Sequence, residues 1–140
     1  ISKHKIEVNP IVASIDNPQK FIKNPVICSL THDGNGQILN TNADTIAAEI
    51  SVALADMYDV SLKYCSEIPG VLEKLGNYDS LIKTIDSTSY KKLKQKNIIS
   101  DGMIPKLENC FNALKNGVDK VFVGSIDILN SEEKSTQLKI

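Results

Sequence analysis

No arginine and no tryptophan occur in the chain, and aromatic residues make up only 5% of it. All sixteen cationic side chains are lysines. Any anion held here must therefore meet an ammonium point charge, backbone N–H groups or a helix dipole, never the two-pronged guanidinium fork. A dominant sign of charge is also missing: the formal net charge is −1 at pH 7, so no overall field draws in nucleic acid or an anionic membrane. No apolar run approaches the ~20 residues of a membrane-spanning helix, and no secretory signal opens the chain. Cysteine is scarce. Cys28, Cys65 and Cys110 are odd in number, far apart and set in apolar runs. That argues against a disulfide frame or a zinc site and leads us to expect buried, reduced thiols in a cytoplasmic protein. Metal-ligand spacings, a catalytic triad, a nucleophile elbow and a Walker-type loop are all lacking. We expect no intrinsic metal site, and His4 and His32 read as surface residues.

What is present suits one globular domain or a large piece of one. The chain has 140 residues, 41% hydrophobic and 24% charged, a length at which roughly two thirds of the extended surface can be buried. It opens on Ile1 rather than methionine, so we expect a piece of a longer protein.

Along the chain, residues 1–12 show no clean period, and Asn9-Pro10 marks a turn. "NPVICSL" (24–30) reads as a buried strand. "THDGNGQ" (31–37) carries Asp-Gly and Asn-Gly and predicts a hairpin or protruding loop. The apolar residues of "TIAAEISVALADM" (45–57) recur at helical spacing, with Asn42 or Asp44 placed as N-cap. A strand follows over 59–65, and "SLIKTID" (80–86) is ambiguous. Helical patterns cover 88–97 and 106–117, the second closed by Asn116-Gly117. Strands are predicted over 119–126 and 135–140. This order predicts an α/β fold with a largely parallel sheet. No internal repeat or low-complexity segment interrupts it.

Ligands of open parallel sheets bind beyond the carboxyl ends of the strands. Three polar clusters fall there: "NTNAD" (40–44), "SEIPG" (66–70) and "SDGMIPK" (100–106). Asp44 is readable as a simple cap, yet two asparagines beside it are more than one cap needs. Asn40 and Asn42 are then candidate donors to a carboxylate or amide substrate. Lys106 is readable as one more solvated lysine. The glycine and proline before it instead suit a helix mouth open to phosphate. Glu67 to Leu72 are readable as a plain Pro-Gly turn.

Together, "GQILNTNADTIAAEIS", "SEIPGVL" and "IISDGMIPKLENCFNAL" resemble, in order and separation, the carboxyl-terminal half of the N-acetylglutamate kinases of the amino acid kinase family. The likeness runs from about Asn24 to Ile140. It implies a three-layer sandwich with a mainly parallel central sheet. Residues 24–140 would form its nucleotide-binding part, and 1–23 a poorly matched remnant of the substrate-side half. It also implies ATP-dependent phosphorylation of the γ-carboxylate of N-acetyl-L-glutamate, in arginine biosynthesis, by a homodimer. ATP would bring its own magnesium.

By the same resemblance, Asn40, with Asn42 beside it, matches the substrate-holding position. Asp44 matches the aspartate that orients catalytic lysines, and Lys106 the lysine that neutralises the transferring phosphoryl group. Ser66, Glu67, Ile68, Pro69, Gly70, Val71 and Leu72, with Ile98, Ile99, Ser100 and Met103, match the nucleotide pocket. Glu67 stands where most relatives have aspartate, and Asp101 where many have glycine. The family's glycine-rich turn with its lysine, its Gly-Gly clamp and its arginine have no counterpart here. N-succinylglutamate or another amino acid kinase substrate is an alternative within the same chemistry. A non-catalytic nucleotide-binding module is the alternative outside it.

Overall fold

The computed structural model describes residues 27–99 and 102–140. The segment 1–26, with His4 and the remnant expected over 1–23, lies outside the described residues, as do Ser100 and Asp101.

A short hairpin comes first, β1 (Leu30–His32) antiparallel to β2 (Ile38–Asn40). Its loop forms for the reasons the letters suggest. Asp33 Oδ1 accepts from the backbone N–H groups of Asn35 (2.7 Å) and Gln37 (3.1 Å), while Gly34 and Gly36 take φ values of 81° and 93°. The expected buried strand over 24–30 is corrected. Only Leu30 of the described part is in a strand, and Ile27 and Cys28 are exposed. The hairpin is a two-stranded sheet of its own, and all its strand residues but the half-buried Thr31 are exposed.

Helix α1 (Ala43–Ala55) leads to β3 (Ser61–Cys65), then β4 (Thr84–Ile85), α2 (Ser87–Gln95), α3 (Met103–Lys115), β5 (Lys120–Gly124) and β6 (Ser135–Leu138). The ambiguous stretch 80–86 resolves into the end of a 3-10 turn, Tyr78–Ser80, and the two residues of β4. The main sheet runs β3-β5-β6-β4. β3 with β5 and β4 with β6 are parallel, and β5 with β6 is antiparallel. The fold is thus α/β with a mixed, mainly parallel sheet.

Period-2 alternation sorts β3. Leu62 and Tyr64 face inward; Ser61 and Cys65 face out and are exposed. No such alternation marks β5, where Val121, Phe122, Val123 and Gly124 are all buried. Leu62, Tyr64, Val121, Val123, Ile85 and Leu138 share one core with Leu107, Cys110, Phe111 and Leu114 of α3 and Ala48 of α1. Tyr90 and Leu93 of α2 pack on the same cluster, Tyr90 with its ring centroid 5.3 Å from that of Phe111. The opposite face is covered by the 3-10 turn Ile126–Leu129, whose Ile128 is fully buried.

Of the three thiols expected to be buried, only Cys110 is. Cys28 sits ahead of the hairpin, and Cys65 is on the outward side of the pleat.

One end of α3 behaves as read. Asn116-Gly117 closes α3 with Gly117 at φ 97° and a bond from Val118 N–H to the Ala113 carbonyl of 3.1 Å. The start of α3 is corrected: it begins at Met103, not Lys106. Pro105 is accommodated in the first turn, where no intrahelical N–H is needed, so Lys106 lies one turn inside the helix.

Candidate functional site

The entries of α1 and α3 meet above the carboxyl end of β3. The hairpin fixes the first of them. Thr41 N–H donates to the Ser29 carbonyl at 2.9 Å, and the Thr31 and Thr41 hydroxyls lie 2.6 Å apart. The chain is therefore held as it leaves β2 through Asn40, which is exposed. Asn42 is the N-cap of α1. Its side-chain carbonyl accepts from Asp44 N–H at 2.8 Å and Thr45 N–H at 3.4 Å, the bonding pattern asparagine offers at this position.

With the cap supplied by Asn42, the Asp44 carboxylate is left for another partner. It accepts from Lys106 Nζ at 2.7 Å, joining residues 62 apart in sequence. The side chains are 17% (Lys106) and 30% (Asp44) exposed. A pair this accessible adds little stability; its consequence is orientation. Lys106 Nζ also lies 4.7 Å from the centroid of the Tyr64 ring, and the Tyr64 hydroxyl donates to the Asp44 backbone carbonyl at 2.6 Å. Asn109, about one turn beyond Lys106 on α3, donates through Nδ2 to Oγ1 of Thr45, the residue after Asp44, at 3.3 Å. Below this, burial above all pushes the Cys110 thiol up to about 12, with Lys106 opposing and Asp44 adding to the shift. Cys110 is therefore a neutral apolar floor, not a nucleophile. Burial above all, and then the electrostatic influence of neighbouring Cys110 and Asp44, likewise pushes the Tyr64 hydroxyl above its ordinary range, so Tyr64 donates as a neutral phenol.

The mouth of α3 is built differently. Gly102 is its N-cap residue and makes no side-chain cap bond, and a Cβ placed there would meet nothing within 4 Å. Helix amides in such a place, with a lysine beside them, can take a phosphate oxygen.

The second polar cluster leaves the same strand end. Ser66 N–H donates to the Gly124 carbonyl at 2.7 Å, and its hydroxyl to the Ile68 carbonyl at 2.9 Å. Glu67 is exposed; Ile68 and Pro69 are half-buried. Gly70 is required by crowding, since a Cβ there would stand 2.4 Å from Thr136 Oγ1. Val71 and Leu72 are in the interior at 3% and 5% exposure. Val71 N–H donates to Thr136 Oγ1 at 2.8 Å and its carbonyl accepts from Ile82 N–H at 2.9 Å. The far end of this stretch is thus anchored in the fold, and its near end, Ser66 to Pro69, carries the accessible groups. Ile98 is half-buried, Ile99 buried, and Met103 packs at the edge of the core.

The structure therefore brings Asp44 and Lys106 together, closes the helix with Asn42, and leaves Asn40 open at the hairpin end. Sequence reasoning missed Tyr64, Thr45 and Asn109. The signal for Tyr64 was its inward place, one residue before the end of a strand. Among the described residues no group of three or more His, Cys, Asp or Glu side chains is arranged for a metal ion, and no helix there is long and apolar enough to cross a membrane.

Fold and site define an α/β protein whose polar groups gather at one rim of a mixed sheet. The model of the amino acid kinase family matches residues 9–125, and the chain belongs to that family. An acetylglutamate kinase of Cytophaga hutchinsonii is 46% identical over 120 residues, covering 83% of this chain and 45% of the relative. One of Phocaeicola vulgatus is 47% identical over 115 residues, covering 82% and 44%. One of Methanothrix thermoacetophila is 33% identical over 117 residues, covering 84% and 39%. The crystal structure of smu.665 from Streptococcus mutans is similar with a TM-score of 0.61 at 34% identity, over 71% of this chain and 38% of that one. The chain spans less than half the length of the curated relatives it matches.

Proposed function

We propose that the protein to which this chain belongs transfers the γ-phosphoryl group of ATP to the γ-carboxylate of N-acetyl-L-glutamate, as a cytoplasmic homodimer serving arginine biosynthesis. The observation that carries the reading is the 2.7 Å contact of Lys106 Nζ with Asp44 Oδ1, in a chain similar to acetylglutamate kinases. In the proposed reaction a carboxylate oxygen of the substrate attacks the γ-phosphorus and the bond to ADP breaks. Negative charge spreads over the migrating group, and catalysis is mostly positioning and neutralisation.

Lys106 supplies the neutralising charge, held by Asp44 where a free lysine would sample many rotamers. The amides at the mouth of α3 add a further positive end. Asn40 is assigned as a donor to the amino acid substrate. Asn42 acts through the cap it forms. Residues 24–140 are assigned as the nucleotide-binding part, and Ser66 to Leu72 with Ile98, Ile99, Ser100 and Met103 as the surroundings of the adenosine. Magnesium is proposed only as a companion of the nucleotide phosphates, since the described side chains build no separate site for it.

The test is ADP release by the full-length protein with N-acetyl-L-glutamate, with N-succinyl-L-glutamate, and with neither. Release that depends on the acetyl substrate is the expected result. Preference for the succinyl compound would change the acceptor and keep the chemistry. Nucleotide binding without acceptor-dependent release would overturn the kinase reading in favour of a binding module. Light scattering of the same preparation checks the dimer.

A further inference from the structure

Tyr64 lies beneath the Asp44–Lys106 pair and touches both residues. Its ring centroid is 4.7 Å from Lys106 Nζ, and its hydroxyl holds the Asp44 carbonyl at 2.6 Å. The residue is itself 5% exposed and stands on β3, in register with Val123 of β5, so it is a rigid platform. A lysine has four rotatable bonds, and one contact to a carboxylate leaves the ammonium free to swing about it. An aromatic face under the same nitrogen removes much of that freedom, and the attraction strengthens where water is excluded. The hydroxyl acts at the other partner: by fixing a carbonyl in the first turn of α1, it sets where the Asp44 carboxylate begins.

We propose that Tyr64 is a positioning residue for phosphoryl transfer, its ring seating the Lys106 ammonium and its hydroxyl fixing the turn that presents Asp44. This rests on the role given to Lys106 above. The plainer reading is a core tyrosine that has found a hydrogen-bond partner. The two readings separate because core packing affects folding, whereas positioning affects turnover through Lys106 alone.

The experiment uses the full-length protein with Tyr64→Phe, which keeps the ring, and Tyr64→Leu, which removes it. We expect kcat to fall about 3-fold for Tyr64→Phe and about 10-fold for Tyr64→Leu, with each KM within about twofold of the parent. In a Lys106→Ala background, Tyr64→Leu should cost less than about twofold more, because its effect passes through the missing ammonium. A second readout needs no activity. After reductive methylation of the lysines with a 13C label, the Lys106 methyl protons should resonate upfield in the parent and in Tyr64→Phe, and return to the ordinary lysine position in Tyr64→Leu.

The proposal is overturned by unchanged kcat in Tyr64→Leu, by equal losses in both backgrounds, by losses that track the folded fraction, or by no upfield methyl signal in the parent. Were Tyr64→Leu not to fold, Tyr64→Phe and the methyl signal of the parent would still decide it. Full turnover in Lys106→Ala alone would sink the functional reading, and the methyl signal would still report separately on the seat.

Discussion

α1 and α3 are both 13 residues long, pack against each other and start at the same rim, yet they open in opposite ways. α1 closes its own mouth: the Asn42 side chain takes two of its first amides, and a carboxylate is turned toward the neighbour. α3 begins on a glycine with no side-chain cap and turns an ammonium back. One helix start is a finished structural unit that presents an acid. The other has a glycine at its N-cap, which supplies no side chain to cover the first amides. A helix mouth is thus not a site by virtue of being a mouth; what matters is whether its amides are already satisfied and which charge the facing helix brings.

The sharpest way to break this contrast is to remove the ammonium. Lys106→Ala should lower turnover of the full-length protein at least ~10²-fold, the scale of a lost transition-state charge contact, with nucleotide affinity changed far less. Near-normal kcat in the ADP-release assay would show that α3 presents nothing essential. Asp44→Asn should bring a comparable fall, roughly 10²-fold, with the unfolding midpoint nearly unmoved, because the cap belongs to Asn42 and not to Asp44. Activity that merely followed the folded fraction would return Asp44 to a structural role.

At the closed mouth the order reverses. Asn42→Ala should cost about 1 kcal/mol in denaturant unfolding, and Asn42→Ser should recover most of it, since serine caps nearly as well. Recovery of stability without recovery of turnover would restore Asn42 as a substrate contact. The smallest effect is expected at α2, capped by an ionised group. Backbone N–H donation from Ser89 chiefly, then its side chain, holds the Asp86 carboxyl below its ordinary value of 3.8. A depressed value means that the cap contributes fully above the unfolded pKa and is lost as pH falls through the folded one. Acid unfolding of the parent should therefore be steeper below pH ~4 than that of Asp86→Asn, whose cap does not titrate. Identical acid curves would refute the assignment.

Much of the fold was legible from local physics. The hairpin announced itself in Asp33-Gly34 and Asn35-Gly36, α1 in its apolar period, and the end of α3 in Asn116-Gly117, because turns and caps depend on a few neighbouring residues. Errors arose where burial was inferred from an apolar run alone. Ile27 and Cys28 look like core letters, but they precede a separate two-stranded sheet and are exposed. Cys65 looked buried, but the pleat turned it out. The start of α3 was read late because Pro105 seemed an entry marker, although proline is tolerated throughout a first turn.

By itself, the sequence determined most of the element types, the lack of any guanidinium in this chain, and so the need for lysine and amides wherever these residues meet an anion. It also placed Asp44 at a helix start and Lys106 close to one. Only the tertiary structure decided that these two side chains touch, that Asn42 rather than Asp44 is the cap, and that Tyr64 lies beneath both. The reason is physical: caps and periods are set within a few bonds, whereas a contact across 62 residues exists only once the sheet has ordered its strands and the core has fixed the helices upon it.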